Sequence, residues 1–259
     1  MNRMNDTEIV KKQYATASNL STRISIHDKY STNKTGFGNW IFSNYRITPG
    51  AKVLELGCGT GDMWKTRSDS IERCSKFVIS DFSEGMVKHA ADLLGKHENV
   101  EYKVIDIQEI PFEENTFDVV IANMMLYHVP DIDKGLREVR RVLKPGACFY
   151  TATYGEHGII EYLSNVLSAY GVKDTVNKNF TLQNGQKILS KVFSNVQKLN
   201  YEDALAVTDI NDMVDYIYSM TSMTVLHTVP KPIIAEALSA HMENGILYVP
   251  KEYGMFVCS

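Results

Sequence analysis

Three groups of residues in this chain have the types and spacing to grip one elongated ligand. Glu55-Leu56-Gly57-Cys58-Gly59-Thr60-Gly61 sets three glycines at alternate positions, with a carboxylate two residues before the first. Glycine lets a backbone turn tightly and approach a ligand that a side chain would hold away. A helix starting behind such a loop would present unpaired N–H groups and a partial positive charge, suited to a carboxylate or phosphate. The dinucleotide pattern G-x-G-x-x-G is not met, because Asp62 stands where its third glycine belongs. Glu55 would repel a pyrophosphate but could hold a cation, directly or through water. The ligand implied here is a zwitterion with an amino-acid end.

Asp81 lies about 20 residues beyond the loop, the separation at which a carboxylate chelates ribose hydroxyls. Asp106 follows the next apolar run and could accept hydrogen bonds from an exocyclic adenine amine. Phe82, Met86 and Ile107 are placed to make an apolar slot around an adenine ring. A glycine loop alone says little. Joined to an acid after each of the next two strands, it describes an amino acid, a ribose and an adenine in one molecule.

The elements that must position these residues alternate between strand and helix from about 51 to 154. Lys52-Val53-Leu54-Glu55 reads as a short buried strand after the turn Thr48-Pro49-Gly50. Phe77–Ser80, Tyr102–Ile105, Phe117–Ala122 and Cys148–Thr153 read as four more. Ser83 is placed to cap a helix with Met86, Val87, Ala90 and Leu94 on one face, stopped by Gly95. Asp131 opens a second, carrying Ile132, Leu136, Val139 and Leu143, which Lys144-Pro145-Gly146 ends. Strands apolar along their whole length, separated by helices, predict a parallel sheet covered on both faces, with ligands at the carboxyl ends of its strands. Beyond 155 helical spacing recurs, Val196–Tyr201 reads as a sixth strand, and Ile246–Val249 and Met255–Cys258 read as a closing hairpin around Pro250 and Gly254.

Composition excludes several classes. With 44% hydrophobic and 22% charged residues the chain is an ordinary core-forming protein, and its net charge of −4 argues against tracking a nucleic-acid backbone. The four cysteines show no C-x-x-C pairing, and no His/Asp/Glu cluster has ligand spacing, so reduced thiols and no metal are expected. The polar start MNRMNDTEIVKK is not a signal peptide and no run is long enough for a bilayer, so a cytoplasmic protein with no membrane partner is expected.

VLELGCGTGDMW, ISDFSEGM and VIDIQEIPFEENTFDVVIANMMLYHVPDIDKGLREVRRVLKPGA together resemble the successive motifs of class I S-adenosylmethionine-dependent methyltransferases. The small-molecule branch that includes the ubiquinone and menaquinone enzymes is the nearest in pattern, over roughly residues 50 to 154. The resemblance implies a Rossmann-like, doubly wound α/β fold with a seven-stranded sheet, Met255–Cys258 supplying an antiparallel seventh strand. Residues 1–49 would form an N-terminal lid, 50–154 the cofactor core, and 155–259 the acceptor-pocket helices and closing strands of one domain. Glu55, Gly57, Cys58, Gly59 and Gly61 would border the methionine part of S-adenosylmethionine, Asp81 with Phe82 and Met86 the ribose and ring, and Asp106 with Ile107 the adenine. Asn123, with Met124 beside it, would meet the methionine amino group through its backbone carbonyl.

The segment Asn123-Met124-Met125-Leu126 lacks the N-P-P-Y of nucleic-acid amino-methyltransferases, and no Pro-Cys pair of a cytosine-C5 enzyme occurs. A small-molecule acceptor is therefore expected, an RNA or protein methyltransferase and a non-catalytic S-adenosylmethionine-binding module being the alternatives. His128 is the candidate general base, His157 a second, although each could equally serve packing or solvent. Tyr30, with Tyr14 and Trp40, lies where a lid could reach the cofactor carboxylate or the acceptor, or simply anchor that segment. Alignment of the acceptor and exclusion of water can supply much of the acceleration without a base.

Overall fold

The computed structural model describes residues 25–259. Seven strands, β1 (Lys52–Leu56), β2 (Lys76–Asp81), β3 (Val100–Val104), β4 (Phe117–Ile121), β5 (Leu143–Tyr154), β6 (Val196–Val207) and β7 (Leu247–Cys258), form one sheet in the order β3-β2-β1-β4-β5-β7-β6. The first five run parallel, and β7 is inserted antiparallel between β5 and β6. The order reverses on either side of β1, so a crevice opens between the ends of β1 and β4, where such sheets bind ligands.

Alternation within the central strands sorts the core into two layers. Leu54, Leu56, Val120 and Phe149 pack with Leu136 and Val139 of the helix Ile132–Val142. Val53, Ile79, Ile121, Tyr150 and Met255 pack on the other face with Ile41 and Trp64. Asp131 caps the first of these helices, its carboxylate accepting from the Lys134 N–H at 2.9 Å. Ser83 holds the N-cap position of the helix Glu84–Leu94, but its side chain makes no capping bond. Asp81 Oδ1 takes the Ser83 N–H instead, at 2.8 Å.

Two expectations are corrected. No α-helix follows the glycine loop: residues 62–66 form successive turns, and the short helix Ser68–Glu72 begins only afterwards. The proposed closing hairpin is one continuous strand, β7. Pro250 is tolerated inside it because its partner Ala204 sends its N–H to Thr32 Oγ1 at 3.0 Å and receives the Thr32 N–H at 2.9 Å. Nothing there requires the N–H that proline lacks.

The β6–β7 pairing continues for several residues past Tyr154, where β5 ends. This overhang carries a third cluster in which Leu205 and Val249 pack with Leu163, Met213, Ile217, Ile234 and Tyr30. Segment 25–36 runs along it, bridged at Ser31 to Leu205.

Candidate functional site

The glycine loop is held open by its backbone. Gly57, Gly59 and Gly61 have φ of +73°, +56° and +82°, the region where a β-carbon is strained. A β-carbon on Gly57 would come within 2.8 Å of Met125 Cγ, and one on Gly61 within 3.0 Å of Ala90 Cβ. One on Gly59 would meet nothing within 4 Å. Gly57 and Gly61 answer to the protein's packing, and Gly59 faces free space.

Asp81 ties the first three strand ends together. Its Oδ2 accepts the Gly59 N–H at 3.0 Å, and its main-chain oxygen accepts the Ile105 N–H at 3.0 Å. Burial pushes its carboxyl above the usual range, opposed by backbone bonds from Ser83, Gly59 and Phe82. A carboxylate has about four acceptor positions, so capacity remains for a ligand hydroxyl.

Glu55 points to the face opposite Leu54 and Leu56 and is 4% exposed. Trp64 Nε1 donates to its Oε2 at 2.7 Å, and burial first of all raises its carboxyl to about 7. A buried carboxylate with one neutral donor among the described residues is a place where an ammonium group is welcome. Cys58 is inert here, because burial, then the charges of Glu55 and Asp81, push its thiol far up.

Asn123 closes the far side of the crevice. Its Oδ1 accepts the Ala152 N–H at 3.0 Å, and Met124, at φ +52°, donates its N–H to the Ala152 oxygen at 2.8 Å. Its amide nitrogen donates to the hydroxyl of Tyr45. Tyr45 was not marked by any motif, yet its ring stands 6.3 Å from Trp64, nearly parallel, and 5.1 Å from Tyr150. Burial, then the Glu55 charge, raises its phenol, so the hydroxyl keeps its proton. The only sequence signal for it is an aromatic residue just before the turn Thr48-Pro49-Gly50.

At the third strand end, Asp106 Oδ1 accepts the Gln108 N–H at 2.8 Å, and Gln108 Oε1 in turn accepts the Asp131 N–H at 3.1 Å. Phe82 is exposed beside Asp81 and Met86 is partly buried in the first turn of its helix. Ile107 is buried and faces Gly135, where a β-carbon would touch it at 3.4 Å, so its side chain belongs to the core beneath the edge.

The candidate bases and lid residues scatter. Tyr30 is 5% exposed in the overhang cluster, and its hydroxyl donates to Asp212, which also pairs with Lys29. There the bond from its hydroxyl to Asp212 ties the segment to the helix Ile210–Ser219. Trp40 stacks on Phe37 and meets Tyr201 in the same anchoring manner. Tyr14 lies outside the described residues. His128 ends the 3-10 turn Leu126–His128 with its ring 4.5 Å from Tyr127. His157 is largely exposed and bonded to Glu161, which raises its pKa, as suits a surface residue. Among the described residues no three or more His, Cys, Asp or Glu side chains gather as for a metal, and no helix is long and apolar enough to cross a membrane.

Residues 54–151 match the family model described as a methyltransferase domain. A ubiquinone/menaquinone biosynthesis C-methyltransferase of Escherichia coli O1:K1 is 38% identical over 127 residues, 48% of this chain and 50% of that one. The chain thus spans about half the length of the curated relatives it matches. A SAM-dependent methyltransferase from Aquifex aeolicus superposes with a TM-score of 0.50 at 19% identity, over 70% of this chain and 92% of that one. Phosphoethanolamine N-methyltransferase 2 of Haemonchus contortus, in complex with S-adenosyl-L-methionine, gives 0.57 at 18% identity, over 99% of this chain and 58% of that one. At such identities these structures establish a shared fold.

Proposed function

We propose that the chain is a class I S-adenosylmethionine-dependent methyltransferase that methylates an O, N, S or C atom of a small molecule, a reading supported by the methyltransferase-domain match over residues 54–151 and by the 38% identical relative. One observation carries the reading: Asp81 joins the glycine loop, the start of the next helix and the end of β3 in a single hydrogen-bonded corner. The residues fit the cofactor. Free space lies where a Gly59 β-carbon would project, and the buried Glu55 has a single neutral donor among the described residues, suited to a cationic neighbour.

Bound there, S-adenosylmethionine supplies a sulfonium methyl group as the electrophile. Glu55 would balance the ammonium group, with the Asn123 carbonyl as its hydrogen-bond acceptor. Asp81 would take the ribose hydroxyls and Asp106 the adenine amine, with Phe82 and Met86 against the ring. Tyr45, held by Asn123, would keep the backbone beyond β4 in place. Acceleration would come from alignment and from excluding water beneath the overhang. The net charge of −4 supports a small acceptor over nucleic acid, and a cytoplasmic setting is consistent with the cysteines being free among the described residues.

Isothermal titration with S-adenosylhomocysteine tests the reading, with NAD as the control. Micromolar binding of the first alone is expected. Binding of NAD alone would instead make the protein an oxidoreductase. A methyl-release screen over phenols, amines, thiols and quinols then finds the acceptor.

A further inference from the structure

Gln108 follows Asp106 by two residues and grips its carboxylate three times. Its N–H donates to Asp106 Oδ1 at 2.8 Å, and its Nε2 is shared between Oδ1 at 3.1 Å and Oδ2 at 3.2 Å. Its Oε1 accepts the N–H of Asp131 at 3.1 Å. Asp131 is the N-cap of the helix Ile132–Val142, so that N–H belongs to a residue fixed by its own capping bond. Asp106 and Gln108 are half-buried, while Ile107 between them is 4% exposed. The turn is rooted in the core by Ile107 and reaches solvent through the other two side chains.

These partners leave the amide no choice of orientation. A main-chain N–H can only donate, so it claims the amide oxygen and turns the NH2 group toward Asp106. The carboxylate is fixed in turn. Of its about four acceptor positions, three are filled among the described residues, two on Oδ1 and one on Oδ2. The position that remains is on Oδ2.

We infer that Gln108 is a positioning residue that sets specificity: by fixing Asp106 it keeps Oδ2 for position 6 of the purine, and so makes the site select an amino group there over a carbonyl. The inference rests on the methyltransferase reading above and names a residue which that reading left without a role. A 6-amino group donates to Oδ2, whereas a 6-oxo group sets two acceptors against each other. A carboxylate free to rotate would swing away and tolerate the second ligand. One locked to Gln108, itself locked to the helix, has no such escape, and the unpaired acceptors keep their cost.

The test is calorimetry on the full chain with S-adenosylhomocysteine and its 6-oxo counterpart, S-inosylhomocysteine. Wild type is expected to prefer the first by about 100-fold. Gln108→Met keeps the length of the side chain and loses its hydrogen bonds. It should narrow that preference by about tenfold, chiefly through tighter binding of the 6-oxo ligand. A residue that merely supports the fold would weaken both ligands alike and leave the ratio unchanged, and that result overturns the inference.

Asp106→Asn gives an independent check. Both Gln108 donors meet Oδ1, so the new amide must put its oxygen there and its NH2 in place of Oδ2. The preference should then drop to parity or below. An Asn variant with the wild-type ratio overturns the inference, as does a wild type that binds the two ligands equally. Wild type that binds neither overturns the methyltransferase reading itself, so the two failures are told apart.

Discussion

The Trp64 indole donates to Glu55 Oε2 across 2.7 Å, with Trp64 1% and Glu55 4% exposed. A carboxylate so enclosed is a liability to the fold unless a cation arrives. Its pKa rises from 4.5 to about 7, so the folded state binds a proton that the unfolded chain has lost. The contribution is therefore fully present below about pH 4.5 and is lost as pH rises through about 7. Glu55→Gln should stabilise the ligand-free protein by about 3 kcal/mol at pH 8 and change little at pH 4. The same variant should bind S-adenosylhomocysteine more weakly. Thermal melts at both pH values check the first claim, and titration calorimetry the second.

Asp81→Ala removes the acceptor of the Gly59 and Ser83 N–H groups together with the proposed ribose contact. Cofactor affinity should fall by about 1.5–3 kcal/mol, the worth of hydrogen bonds to a charged group. Calorimetry with S-adenosylhomocysteine decides, and unchanged affinity would mean that the ribose lies elsewhere.

The loop glycines should separate stability from binding. Gly61→Ala meets Ala90 at 3.0 Å in addition to its positive φ, and should cost about 2–5 kcal/mol of stability. Gly59→Ala meets no protein atom within 4 Å, and should cost only the backbone strain of about 1–2 kcal/mol. Its methyl group, however, would enter the space given to the ligand. Denaturant melts and cofactor titrations on both variants should show opposite rankings.

Lys251 and Asp203 form an ion pair with side-chain exposures of 3% and 0%. Asp203 also accepts from Thr32 Oγ1 at 3.2 Å and from the Asn33 N–H at 2.9 Å. Asp203→Ala strands a buried ammonium group and should destabilise by about 3–5 kcal/mol. Hydrogen exchange should then rise first in residues 31–36, because their tether to the β6–β7 overhang is gone.

Tyr30→Phe tests the anchoring role. The bond to Asp212 reaches a partly exposed carboxylate, so its loss should cost about 0.5–1.5 kcal/mol of stability. The kcat with an acceptor from the screen should stay at the wild-type value. A large fall in kcat would return Tyr30 to the chemistry.

Much of the cofactor half was legible in the sequence because its parts lie at strand ends. Apolar runs mark β1, β2 and β4, and the residue that stops each run is placed on the ligand edge by the parallel sheet. Gly59, Asp81 and Asp106 fall on one edge in this way from the sequence alone. Helical spacing and the Asp131 cap likewise marked Ile132–Val142. The turns after Gly61 are not legible in the same way, because a glycine loop of this kind usually leads into a helix. Pro250 and Gly254 carry the composition of a hairpin turn, and their strand role depends on what Ala204 and Asn200 do opposite them.

The sequence alone determined the fold class and the edge where the cofactor residues meet, because local runs and short spacings set both. Only the tertiary structure brought in residues from segments that carry no motif. Tyr45 reaches Asn123, and His27 reaches Tyr216 and Tyr253, from segments with no motif and no periodicity. Such contacts join distant parts of the chain, so they arise from how layers pack. The same holds for electrostatics: Glu55, His27 and Lys251 have ordinary side chains, and enclosure by distant residues sets their charge behaviour.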